Sequence, residues 1–94
     1  IIYAPNAFTP DGDGINDTWM PVLQGADPEA FEVYIFNRWG ELLWSSETLG
    51  VAWDGVDSAI SSVVKSDVYV WRIKAKDIML GEKHDYKGHV TVIK

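Results

Sequence analysis

The sequence predicts an all-β domain built as a β-sandwich, and three observations point there. Aromatic and β-branched residues are abundant: five Trp, four Tyr and three Phe in 94 residues, beside many Val and Ile. Such side chains suit a pleated, half-buried surface. Several stretches alternate apolar and polar residues with the period of a strand. Turn signals rich in Gly, Pro, Asp and Asn separate six or seven short strand candidates at intervals of about 8–15 residues.

The elements follow in order. Residues 1–4 read as a short apolar strand. Residues 5–17 form a loop dense in Gly, Pro, Asp and Asn. Residues 18–23 turn apolar again, a second strand. Gly25, Asp27 and Pro28 mark a turn across residues 24–30, with room for one helical turn from Pro28. Residues 31–36 alternate, with Phe31, Val33 and Ile35 on one face and Glu32, Tyr34 and Phe36 on the other. Asn37-Arg38-Trp39-Gly40 is a tight connection in which Gly40 is free to take a positive φ. Residues 41–45 return, completing a hairpin. Residues 46–51 are a polar connection and Trp53-Asp54-Gly55 a turn. Residues 56–66 carry weak signals, those of a loop or an edge strand. Residues 68–76 are the longest strand, with Tyr69, Trp71, Ile73 and Ala75 opposite Arg72, Lys74 and Lys76. Leu80-Gly81-Glu82-Lys83 is a turn. Residues 86–93 are the last strand, with Val90 and Val92 opposite His89, Thr91 and Ile93.

The length suits one domain spanning residues 1–94. Such a domain hides roughly 60–65% of the surface of its unfolded chain, so its modest core must be well filled. Fourteen acidic residues against eight basic give a net charge of −6. That balance argues against a nucleic-acid partner, which needs a basic patch, and against anionic lipid. It permits a cation site. The absence of cysteine excludes disulfides, thiolate metal sites and a cysteine nucleophile. No stretch is apolar enough for insertion as a membrane helix. No secretory leader opens the chain, so an exported domain would take its leader from elsewhere in its protein.

The run from Thr9 to Asp17 is the sharpest chemical feature. Alternating carboxylates separated by Gly let a backbone curl until several oxygens converge, and calcium takes six to eight oxygens at about 2.3–2.6 Å. Set on a D-x-D-x-D-G loop, Asp11 falls at the third position, Asp13 at the fifth and Gly14 at the sharp turn. Ile15 offers its backbone carbonyl and Asp17 the ninth position. Ile15 or Trp19 would anchor the loop to the core. Thr9 replaces the first carboxylate and Met20 the bidentate acid, so the calcium site expected here is weak and structural. The other reading is an Asx-rich turn in which Asp and Asn side chains bond their own backbone.

Trp39, Trp44, Trp53 and Trp71 present two readings, a platform for sugar rings or core packing. Core suits Trp53 and Trp71 best, and Trp39 at a hairpin tip is the residue expected in solvent. His84 and His89 have no nucleophile motif near them and read as surface or edge positions. No phosphate-binding Gly loop precedes a helix. Catalytic residues: none are expected. Lys74, Lys76, Lys83, Lys87 and Lys94 read as a solvated strand face or as a recognition surface.

Five blocks, in order, resemble a known family. They are Pro5-Asn6-Ala7-Phe8-Thr9-Pro10-Asp11-Gly12-Asp13-Gly14-Ile15-Asn16-Asp17-Thr18-Trp19, Ile35-Phe36-Asn37-Arg38-Trp39-Gly40-Glu41, Trp53-Asp54-Gly55, Val68-Tyr69-Val70-Trp71, and Lys87-Gly88-His89-Val90-Thr91-Val92-Ile93-Lys94. The sequence is similar to the gliding-motility-associated C-terminal domain, the type B sorting domain of the type IX secretion system. The resemblance implies an immunoglobulin-like antiparallel β-sandwich of about seven strands at the C-terminus of a large exported protein. It implies a non-catalytic secretion signal that carries cargo to the cell surface or medium through the periplasm. Its partners would be the type IX translocon, its outer-membrane shuttle components, and the N-terminal cargo domains of the same protein. The alternative function is a surface adhesion or carbohydrate-binding module. Where the family usually has a Gly shortly before its Val-Tyr strand, this chain has Ser66-Asp67.

Overall fold

A computed structural model describes residues 2–12, 14 and 17–94. Among them are nine strands and no helix. The strands are β1 (Ile2–Tyr3), β2 (Ala7–Phe8), β3 (Val22–Leu23), β4 (Ala26–Phe36), β5 (Leu42–Ser46), β6 (Val56–Asp57), β7 (Ser62–Val63), β8 (Asp67–Asp77) and β9 (Lys83–Val92). One sheet holds five strands in the order β2-β9-β8-β4-β5. The pairs β1-β3 and β6-β7 are separate two-stranded sheets. The all-β prediction holds, and the layered arrangement is that of a β-sandwich. Pairing is antiparallel throughout except that β2 runs parallel to β9.

The long strands carry the core because their alternation places one whole face inward. Phe31, Val33 and Ile35 of β4, Tyr69, Trp71, Ile73 and Ala75 of β8, and Val90 and Val92 of β9 are all buried. Phe8, Trp19, Leu43, Trp53 and Val64 belong to the same buried cluster. No described polar or charged residue is buried. Leu43 enters the core through a bulge: Ile35 pairs with Trp44 and Phe36 with Leu42, leaving Leu43 as the extra residue. A bulge re-aims side chains, and here Leu43 is buried while its neighbour Trp44 also packs on the core.

The short elements depart from the sequence reading. The loop expected over residues 5–17 contains β2, because the carbonyls of Asn6 and Phe8 accept hydrogen bonds from the amides of Thr91 and Ile93. The apolar run 18–23 is a strand only at Val22–Leu23, and Trp19 instead makes an isolated bridge to Trp53. Residues 26–30, expected as a turn or helical turn, are the start of β4. Pro28 is tolerated there because the β4-β8 register shifts between Ala26 and Phe31, and a proline in a strand needs such a break in the ladder. Residues 56–66 hold a small hairpin, β6-β7.

Candidate functional site

The family-like blocks converge at one end of the five-stranded sheet. β4 arrives there at Phe36, β8 starts there at Asp67, and β9 ends there at Val92. Phe8 lies beside Val92, so the acidic loop after it leaves from the same end.

The β4-β5 turn is built by one side chain. Asn37 Oδ1 accepts hydrogen bonds from the amides of Trp39 (3.0 Å) and Glu41 (2.9 Å), and its Nδ2 donates to Glu41 Oε1 at 2.8 Å. The backbone closes the same turn through Asn37 N to Glu41 O and Gly40 N to Asn37 O. Gly40 sits at φ +83°, a conformation a side chain would strain. The result is a fixed tip that holds Arg38 and Trp39 outward.

Trp39 is 71% exposed. Arg38 stands over its ring at 5.6 Å from the centroid and pairs with Asp67 at 2.9 Å. Asp67 also accepts from the amide of Val68, and Ser66 Oγ accepts from the amide of Lys94. Ser66 and Asp67 therefore tie the β8 start to both the hairpin tip and Lys94.

The other blocks do structural work. Trp19 and Trp53 are fully buried and exchange two backbone hydrogen bonds. Their indole N–H groups donate to Pro5 O (2.9 Å) and Val56 O (3.0 Å). In Trp53-Asp54-Gly55, Asp54 accepts from the amide of Val56, and Gly55 lies at φ +83° against Pro10. Gly88 faces Trp71, whose ring leaves no space for a side chain.

The acidic loop is organised by Asp17. Its two carboxylate oxygens accept from the amides of Gly12 (3.0 Å) and Gly14 (2.6 Å). Asp11 is exposed. Asp13 and Ile15, the other expected ligands, lie outside the described residues. Among the described residues no three His, Asp or Glu side chains converge as a metal-binding group. Trp19 does anchor the end of this loop in the core, as expected.

A platform of four tryptophans does not form, because Trp53 and Trp71 lie in the core and Trp44 packs on it. Trp39 alone of the four stands in solvent. His84 stacks on Tyr86 with ring centroids 6.0 Å apart. It also lines an open groove of about 680 Å³ across β4, β8 and β9 with Glu29, Glu32, Glu47, Lys74 and Lys83. Among the described residues that groove is lined by carboxylates and lysines, with no hydroxyl or thiol side chain. His89 is exposed. The late lysines do not make a patch of one sign, for Asp85 lies among them. Arg72 holds the Asp85 carboxyl below the ordinary carboxylate range through a two-pronged contact of 2.7 and 3.1 Å.

Two of these features carried sequence signals that period alone does not weigh. Asn37 opens an Asx-type turn. Gly88 interrupts a strand, which often marks close approach.

Fold and site together define a small all-β domain whose signature residues mainly serve folding, with Trp39 displayed on a fixed hairpin tip. The chain belongs to the type IX secretion signal domain family: the family model CHU_C matches residues 2–92. No curated protein matches the chain. Two solved structures share the fold. One is CopC from Methylosinus trichosporium OB3b, 14% identical with a TM-score of 0.58 over 96% of this chain and 84% of that one. The other is PorZ of Porphyromonas gingivalis, described as an essential bacterial surface component of the type-IX secretion system. It is 23% identical with a TM-score of 0.52, and all of this chain corresponds to 11% of PorZ. Membership of this family makes the protein an exported one with a secretion-signal role.

Proposed function

We propose that this domain is a folded, non-catalytic C-terminal address that directs a larger cargo protein through the type IX translocon to the cell surface or medium. The Arg38-Trp39 tip is the part that the translocon or its outer-membrane shuttle components read. The observation carrying this is that Trp39 stays in solvent on a turn fixed by Asn37 and Gly40. Trp and Arg are the residues most often found to dominate interfaces. A held tip also loses little entropy on docking.

The test is a periplasm-directed fluorescent reporter fused ahead of this domain in a gliding bacterium, with and without an intact translocon. Export that depends on the translocon is expected. Trp39→Ala should leave stability within about 0.5 kcal/mol of the parent, as surface changes usually do. Truncating an interface tryptophan that acts as a hot spot costs about 2 kcal/mol, roughly 30-fold in affinity, so export of that variant should fall several-fold. Unchanged export by a folded Trp39→Ala domain would remove the tip from the reading. A reporter held in the periplasm in both strains would remove the sorting role.

The acidic loop is proposed as a weak structural calcium site. Asp17 fits that use: among the described residues each of its carboxylate oxygens accepts one amide hydrogen, and a carboxylate oxygen has a second lone pair for a cation. Calcium at ten times its Kd would add about 1.4 kcal/mol, seen as a rise in melting temperature. The double substitution Asp11→Asn with Asp13→Asn should abolish that rise. A melting temperature indifferent to calcium in the parent would end the proposal.

A further inference from the structure

The end of the sheet opposite Arg38 and Trp39 carries the strongest apolar exposure on the described surface. Ile78, Met79 and Leu80, in the β8-β9 turn, are 60%, 87% and 73% exposed. Turns are ordinarily polar, and a run of three exposed apolar residues calls for a function.

This tip is held firmly. Asp77 Oδ1 accepts from the amides of Met79 (2.7 Å) and Leu80 (3.1 Å). These two bonds hold the Asp77 carboxyl below its ordinary range. Asp77 N donates to Glu82 O, and Gly81 N donates to Asp77 O at φ +67°. Ile78 N donates across to Gly25 O at 2.8 Å. The three side chains are therefore displayed, not loosely tethered.

Two observations say what covers them. Asp27, Asp77 and Glu82 flank the tip together with Lys76 and Lys83, so it carries no basic excess, and the chain as a whole has a net charge of −6, which disfavours an anionic lipid surface. The first strand also enters the domain beside it. Ile2 pairs with Leu23, and Leu23 lies two residues, roughly 7 Å, before the Gly25 that receives the Ile78 amide. Any folded region preceding β1 in the same polypeptide would sit next to this tip.

We propose that Ile78, Met79 and Leu80 are the contact between this domain and the folded region immediately N-terminal to it in the same protein, seated in an apolar recess there. The proposal rests on reading the domain as a signal carried by a larger protein. It has a geometric consequence. The 11 residues of β8 separate the two tips, so the neighbour is held at one end while Arg38 and Trp39 point away from it.

The test uses the complete protein that carries this domain. Met79 is replaced by p-benzoylphenylalanine, and the purified protein is irradiated and mapped by mass spectrometry. A cross-link to the region upstream of Ile2 in the same chain is expected, several-fold stronger than from the exposed control position His89. Capture of a second polypeptide, a second copy or lipid would overturn the contact, as would no cross-link above the control. As a second measurement, Met79→Asp should speed protease cleavage ahead of Ile2 several-fold while leaving the domain's melting temperature unchanged, and equal cleavage rates would also count against it. Translocon-dependent reporter export is read separately. Export without the cross-link sinks only this contact, and the cross-link without export sinks only the sorting role.

Discussion

Replacing Trp53 with Ala is expected to cost about 3–5 kcal/mol, the usual range for deleting a buried tryptophan. A domain of 94 residues has about 5–15 kcal/mol in total, so this variant should lose a large fraction of its stability. The reason is more than lost area. Trp53 contacts Phe8 and Tyr69 edge-on, with ring centroids at 5.3 and 5.9 Å. Its backbone holds Trp19 through two hydrogen bonds of 2.7 and 2.8 Å, and its indole N–H satisfies Val56 O. A cavity there loosens the covering layer and the acidic loop together. Trp53→Phe keeps a ring but leaves the Val56 carbonyl without its donor, for a smaller loss of about 1–3 kcal/mol. Urea melts followed by circular dichroism measure both. A Trp53→Ala midpoint within error of the parent would mean that the covering layer is not needed for the fold.

Gly88→Ala is the second change with a large expected effect, although it adds one methyl group. Gly88 pairs with Trp71 across β8-β9. A Cβ at position 88 would lie 2.5 Å from Trp71 Cζ2 and 2.8 Å from Cε2. The backbone at Gly88 is not in the left-handed region, so alanine would otherwise be tolerated and even favoured by its lower unfolded-state entropy. The loss is therefore steric. Overpacking of this kind costs about 1–3 kcal/mol. Trp71 has little room to yield, because its ring lies 6.1 Å from that of the fully buried Trp19. A double-mutant cycle with Trp71→Phe isolates the term. The penalty of Gly88→Ala should shrink markedly in the Trp71→Phe background. An equal penalty in both backgrounds would place its origin in the backbone and not in the ring.

Both residues lie in the blocks that carry the family resemblance, and both serve packing. These signature residues thus mostly serve folding. Trp39 is the exception that gives the tip its interest. It is a large apolar residue that the fold displays and does not bury.

The long strands were legible in the sequence because alternation is a local property. Phe31, Val33 and Ile35, and likewise Tyr69, Trp71, Ile73 and Ala75, point inward as their spacing required. The 37–40 turn was legible through Gly40, and the exposure of Trp39 through its place at a hairpin tip. The acidic loop was legible as a loop, but Asp17 as its organiser depends on which amides come within reach of its carboxylate.

Only the tertiary structure decided the rest. A two-residue strand such as β2 has too few positions to show a period, and it exists because the end of β9 offers amides to Asn6 and Phe8. The Trp19-Trp53 bridge joins residues that no local rule connects. The inward turn of Leu43 follows from a bulge set by the β4-β5 register. The need for glycine at 88 follows from the ring that lies across it. Sequence by itself determined which faces are apolar and where the chain can turn. Which of those faces meet, and which apolar groups stay uncovered, was decided by pairings between distant segments, whose energies depend on the assembled neighbours and not on the residue alone.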